Sequence, residues 1–133
     1  MAEVDLVDVA TIIPSNIGWH LTTADAMKMD VDADHVVKIN TIIAANVDET
    51  NDATVDIHIA GMGSGGSGVT DGSGVHVGDD DIYIAKGINV PAGSSLVILS
   101  SPIYMMERDT FNAIASADGD IDLFVSFEIL DDA

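Results

Sequence analysis

Three kinds of residue in this chain have types and spacing that could do chemistry. The first is the acidic run Asp30-x-Asp32-x-Asp34. Alternate carboxylates in an extended segment point the same way and can share a hard cation such as Ca²⁺. The run opens like an EF-hand loop, but His35 stands where that loop needs glycine, and Thr41 stands where it needs a bidentate glutamate. In a chain this rich in aspartate it reads as a solvated acidic turn, as do Asp79-Asp80-Asp81 and Asp118-Gly119-Asp120. No resident metal or cofactor is expected. If Ca²⁺ or another cation is held, Asp30, Asp32 and Asp34 are its candidate ligands.

The second kind is histidine. His20, His35, His58 and His76 include no pair at the i, i+4 spacing of a helical zinc site. His58 falls on the outward side of a strand pattern, where histidine is ordinarily solvated. The third is serine framed by glycine, Gly66-Ser67-Gly68. A nucleophile elbow needs a strand before the serine and a helix after it, and neither flank fits. The glycines carry no Gly-Lys-Ser/Thr, so a phosphate loop is excluded as well. A glycosidase needs two carboxylates beside a sugar platform, and this chain is poor in aromatics. The expectation is a protein with no catalytic residues.

What positions these residues is a chain of 133 residues, 47% apolar, long enough for one core. It reads as one domain over 1–133, with 1–16 as an N-terminal arm or first strand and 61–79 as a Gly-rich loop. It has no cysteine, which excludes disulfides and thiolate metal sites. Twenty-three acidic residues face Lys28, Lys38, Lys86 and Arg108, for a net charge of −19. Such a chain repels nucleic acid and anionic membranes. At molar salt the Debye length is only ~3 Å, so self-repulsion is largely screened. Scarce lysine and abundant aspartate therefore favour a protein of a salt-in halophile. The acidic N-terminus lacks the positive region of a secretory signal, and no apolar run approaches the length of a membrane span.

The elements follow from period-2 alternation. Leu6 to Ile13 and Ile17 to Thr22 read as strands separated by a Pro14-Ser15-Asn16 turn. Ala26 to Met29 suits one helical turn or a strand. His35 to Val47 is the longest run of the first half, with Val37, Ile39, Thr41, Ile43 and Ala45 on one face. Ala53 to Met62 returns with Val55, Ile57 and Ile59 inward, so the two runs are expected to pair as a hairpin. Shorter strands cover Ile82 to Lys86, Leu96 to Ser100, Ile103 to Met106 and Phe111 to Ala117. Asp118-Gly119 signals a two-residue hairpin turn into Ile121 to Leu130, where Ile121, Leu123, Val125, Phe127 and Ile129 share a face. No internal repeat is present. About nine short strands without a convincing helix predict an all-β fold, an antiparallel β-sandwich of jelly-roll type.

Val90-Pro91-Ala92-Gly93-Ser94, Pro102-Ile103-Tyr104, Asp109-x-Phe111, Ala115-Ser116-Ala117-x-Gly119 and Val125-Ser126-Phe127-Glu128, together with Ala45-Asn46-Val47, resemble a recurrent class of small β-sandwich virion proteins of tailed viruses. The resemblance runs from about Val36 to Leu130. It implies a structural virion role as a capsid decoration or turret subunit, or as a neck or tail piece. Its partners would be its own copies and other virion proteins such as the major capsid or neck protein, with no nucleic acid and no membrane. Trp19, Ile42, Ile114, Phe124 and Leu130 are the candidate contact residues, Trp19 being read first as core. The alternative is an adhesin-like or carbohydrate-binding module, which would need Trp19, Tyr83 and Tyr104 to cluster or a calcium site to form. The N-terminal segment and the Gly-rich loop are the expected arms onto neighbours. Deleting Gly63 to Gly74 should leave the melting temperature unchanged but lower occupancy on purified particles; unchanged occupancy would count against that role.

Overall fold

The computed structural model describes residues 11–24, 26–60, 81–107 and 109–131. The expected loop at 61–79 and the arm upstream of Thr11 lie outside these residues. Among them are nine strands: β1 (Thr11–His20), β2 (Ala26–Asp30), β3 (His35–Asn46), β4 (Ala53–Ala60), β5 (Asp81–Val90), β6 (Ser95–Leu99), β7 (Ile103–Met105), β8 (Thr110–Ala115) and β9 (Ile121–Asp131). They form two antiparallel sheets. One has the order β1-β9-β3-β6, with β7 also on β3, and the other the order β2-β8-β4-β5. The all-β sandwich expected from the alternation is the fold observed.

The core lies between the inner faces. Val55, Ile57 and Ile59 of β4 are fully buried, and so are Ile121 and Val125 of β9, with Leu123 almost so. Strict period-2 alternation delivers these residues to one side. Trp19 is half-buried and stacks on Phe111 of the opposite sheet, with ring centroids 5.8 Å apart and planes 20° apart. Its ring is part of the packing between the sheets.

Two local expectations fail for identifiable reasons, and one that was open is decided. Pro14 does not end a strand: β1 runs through it, paired to β9 along its whole length. An edge strand tolerates proline because every second amide points away from its single partner. The segment at Ala26, for which a helical turn and a strand were both open, is a strand with a bulge between Met27 and Met29. The single face expected along β3 is broken by a bulge, since Ile39 pairs with Phe127 and Thr41 with Ser126, leaving Asn40 as an extra residue. Beyond it Ile42 and Ala44 turn inward, both completely buried, while Ile43 and Ala45 turn outward.

The expected hairpins do not form either. β3 and β4 lie in different sheets, as do β8 and β9. The connections at 47–52 and 116–120 each cross the roughly 10 Å between stacked sheets, which a two-residue turn cannot span. Gly119 does take a left-handed φ of 76°, as Asp118-Gly119 requires, but inside a crossing connection.

One buried side chain ties the crossings together. Asn46, 3% exposed at the end of β3, donates from Nδ2 to the carbonyls of Asn51 (2.9 Å) and Val90 (3.0 Å). Its Oδ1 accepts from the Asp48 amide at 2.9 Å, and its own amide donates to the Ser94 carbonyl at 2.8 Å. The next residue, Val47, donates to Asp120 at 2.8 Å. Three connections are thereby fixed to one point. Replacing Asn46→Ala removes three side-chain hydrogen bonds and strands buried partners. It should cost about 3 kcal/mol of stability, read as a lowered urea midpoint. Asn89→Ala, which removes only an exposed hydrogen bond to Asp52, should cost less than about 0.5 kcal/mol in the same titration.

Candidate functional site

The sequence-derived site residues land in different places. Asp30 closes β2, and Asp32 and Asp34 lie in the tight turn that follows, where Asp34 adopts a left-handed φ of 62°. The Asp34 amide donates to Glu107 Oε2 at 3.1 Å. The segment is not the extended ladder that would align the three carboxylates. Among the described residues no three His, Asp or Glu side chains converge to hold a metal ion. Gly66-Ser67-Gly68, His76 and Asp79-Asp80 lie outside the described residues.

The aromatics named for a glycan platform do not cluster. Trp19 packs inward, Tyr83 is exposed on β5 of one sheet, and Tyr104 is exposed on β7 of the other. His58 corrects its expectation of a solvated side chain. It faces outward on β4 but is only 4% exposed, flanked in register by Tyr83 and Asn112, with the Tyr83 ring 5.0 Å away.

Of the contact candidates, Ile42 is fully buried because of the β3 bulge, and Leu130 is 8% exposed. Leu130 sits opposite Val36, also buried, and both lie outside the main core cluster. Neither offers free surface. Ile114 is half-buried on the outer side of β8. Phe124 is 42% exposed on the outer face of the β1-β9-β3 sheet.

Phe124 is the centre of a local surface that sequence reading did not assemble. In register it lies between Gly18 of β1 and Ile43 of β3, and Ile43 in turn faces Val97 of β6, 55% exposed. Beside the ring is an open hollow of about 370 Å³, lined by Gly18, His20, Ile43, Ala45, Asp122 and Phe124 among others. The lining is mostly apolar. Gly18 has no left-handed φ, and a Cβ there would meet only the Leu123 carbonyl oxygen at 3.5 Å, an ordinary contact. The strand therefore carries glycine where alanine would fit and would be favoured by roughly 0.5–1 kcal/mol.

Charge is distributed around this surface in a definite way. In the strands of this sheet the acidic residues are Asp122, Glu128 and Asp131. Asp122 Oδ1 is 2.6 Å from His20 Nδ1, Glu128 lies across the ladder from Lys38, and Asp131 is 3.4 Å from His35. In the other sheet Asp56 contacts Lys86 at 3.4 Å, and Asp81 lies 3.6 Å from His58. Other carboxylates crowd the connections, Asp48, Asp52 and Asp118 among them, where they cap backbone amides.

Among the described residues four ionisable groups are shifted for visible reasons. Lys86 is raised, first by its hydrogen bond to Asp56. His35 is raised above its usual value, first by donating from Nδ1 to the Ala33 carbonyl at 2.7 Å and then by the carboxylates of Asp131, Asp32 and Asp34, against the opposing effect of burial. Asp48 is lowered by the amide of Thr50 and by the side chain and amide of Asn51. Asp109 is raised by burial, which outweighs the Met106 amide donating to Oδ2 at 2.9 Å. None of these four groups lines the hollow beside Phe124.

No family model and no curated protein matches this chain. Solved structures do. A protein of the disulfide-linked pili that form Bacillus endospore appendages is 20% identical, with a TM-score of 0.46, over 92% of this chain and 90% of its own. Infectious bursal disease virus, Gt strain, gives 9% identity and a TM-score of 0.37 over 92% of this chain and 30% of the viral one. The Gx strain gives 8% and 0.32 over 92% and 42%. This chain thus spans less than half of either viral chain.

Asp109 yields a signed prediction. A carboxyl raised in the fold contributes stability below its unfolded value near 3.8, and loses it as pH rises through the folded value. Asp109→Asn keeps an acceptor for Met106 and removes the buried charge. It should stabilise the fold at pH 7 by about 1 kcal/mol, with the gap to wild type closing as the pH falls toward 4 in parallel urea titrations.

Proposed function

We propose that this chain is a non-enzymatic structural subunit of a virion, a capsid decoration, turret or neck–tail component of a tailed virus that assembles in concentrated salt. It works by binding its own copies and by seating on other virion proteins, such as the major capsid or neck protein. The observation that carries the reading is the outer face of the β1-β9-β3 sheet. On a molecule of net charge −19, that face exposes Phe124 and Val97, and its carboxylates Asp122 and Glu128 each stand beside a basic or imidazole side chain. An apolar patch on a soluble acidic chain is a contact surface in waiting. The carboxylates at the turns keep an assembled particle hydrated and separate.

The turn motifs that resemble virion β-sandwiches support the same role, and the acidic composition supports the saline setting. In molar KCl the dense turn charge is screened, and the sheets can approach one another. In dilute buffer the same charge opposes both folding and association.

Sedimentation of the purified chain tests this. In molar KCl it should run as a symmetric oligomer of fixed stoichiometry, and in dilute buffer it should dissociate and lose thermal stability. A stable monomer at both salt concentrations would contradict the proposal.

A further inference from the structure

We infer that the groove between β5 and β6 is completed by the N-terminal segment of a second copy of this chain, whose residues 2–6 add to the free edge of β6 as an extra strand. The inference rests on the assembly role proposed above and names a contact that performs it.

The core is left open on one side. β6 ends one sheet and β5 ends the other, and among the described residues each pairs with one strand only. Between them runs an open groove of about 170 Å³, lined by Ile84, Ile88, Leu96 and Ile98 among others. Leu96 lies opposite the fully buried Ala44 and Ile88 opposite the fully buried Val55, so both belong to the inner faces of the sandwich. Yet Leu96 is 38% exposed and Ile88 only half-buried. The edge beside them is unguarded. β6 runs Ser95-Leu96-Val97-Ile98-Leu99, with no charge and no proline. By contrast β1 carries Pro14, β2 carries Lys28 and a bulge, and β5 carries Asp81 and Lys86. An uncharged edge of this kind is a template for another strand, because its outward N–H and C=O groups face no partner strand among the described residues.

Sequence and reach name the occupant. In an extended segment Ala2, Val4 and Leu6 share one face, and Glu3 and Asp5 the other. That pattern turns aliphatic side chains into the groove and carboxylates to solvent, where molar salt screens them. The segment joins β1 at an exposed stretch, with Ile12 58% and Ile13 44% exposed. The same copy's segment does not reach the groove. Thr11 and His35 both pair with Asp131, and Val97 lies opposite Ile43. Eight residues of β3 at ~3.3 Å each, and three strand spacings of ~4.8 Å, therefore separate Thr11 from Val97, roughly 30 Å in all. Leu6 stands five residues before Thr11, a reach of at most ~18 Å. A neighbour's Leu6 has no such limit. Donor and acceptor lie at opposite edges of one sheet, β1 and β6, so the contact is heterologous and joins copies head to tail, as in a closed ring.

The test disables the donor segment and then traps the contact. Val4→Asp and Leu6→Asp together should raise the dissociation constant in molar KCl by about tenfold or more, because both carboxylates would have to be desolvated in the groove. Met27→Asp, on the exposed edge of the other sheet, should leave it unchanged. Equal melting temperatures of the dilute, dissociated proteins establish that the variants fold. The chain has no cysteine, so introduced cysteines report the contact. Leu6→Cys mixed with Leu96→Cys should give a disulfide-linked heterodimer, and Leu6→Cys mixed with Met27→Cys should not. If the wild type associates but the double aspartate variant keeps its mass, the inference falls while the assembly role stands. The same holds if Leu6→Cys and Leu96→Cys placed in one chain close an internal disulfide within a monomer. A wild type that is monomeric at both salts overturns both.

Discussion

The constraint on which this structure depends is its charge. With 23 acidic residues and four lysines or arginines, most carboxylates have no cation to meet, so the fold must hold them where water and salt can. The strands accept an acidic residue chiefly where a basic or imidazole side chain stands beside or across from it, as at Asp56 with Lys86 and Asp122 with His20. The connections take many of the others and use them: Asp48, Asp52 and Asp118 hold backbone amides of the turns in place. Acidity is thus a structural material at the ends of the sandwich, while on its sheets most acidic residues stand beside a lysine or a histidine. Under the proposed role, the sheet faces are where association would occur.

Asn46 shows how such ends stay closed. Crossing connections put backbone groups between the sheets, where water cannot satisfy them. A neutral amide with donors and an acceptor meets three of these groups at once, with its own backbone meeting a fourth. A carboxylate there would lack the donors and add another charge to an end that already carries several. This gives the Ala45-Asn46-Val47 segment a physical reason independent of any likeness to other proteins.

What the sequence made legible was the set of strands and the inward faces of β4 and β9, because alternation reports two-sidedness directly. It did not report pairing. Alternation is the same whether β3 neighbours β4 or β9, and only the length of the connections, long enough to cross between sheets, separates the two cases. The bulge at Asn40 was invisible because nothing in its composition marks it, and it reversed the outlook of Ile42 and Ile43. Trp19 was legible as a packed ring, since a large aromatic in a small domain must cover something. Phe124 was legible as outward-facing from its place among Asp122, Ser126 and Glu128. Its neighbour Gly18 was not, because the two residues are brought together only by the register of an edge strand that passes through a proline.

Under the proposed role, subunits meet through the outer face of the β1-β9-β3 sheet and leave the acidic turns in solvent. A cryo-electron-microscopy map of the assembly formed in molar KCl tests it most directly. The proposed role predicts Phe124 buried against a neighbouring subunit, with Asp48, Asp52 and Asp118 facing solvent. A map in which Phe124 remains exposed and the acidic turns form the contact would contradict it.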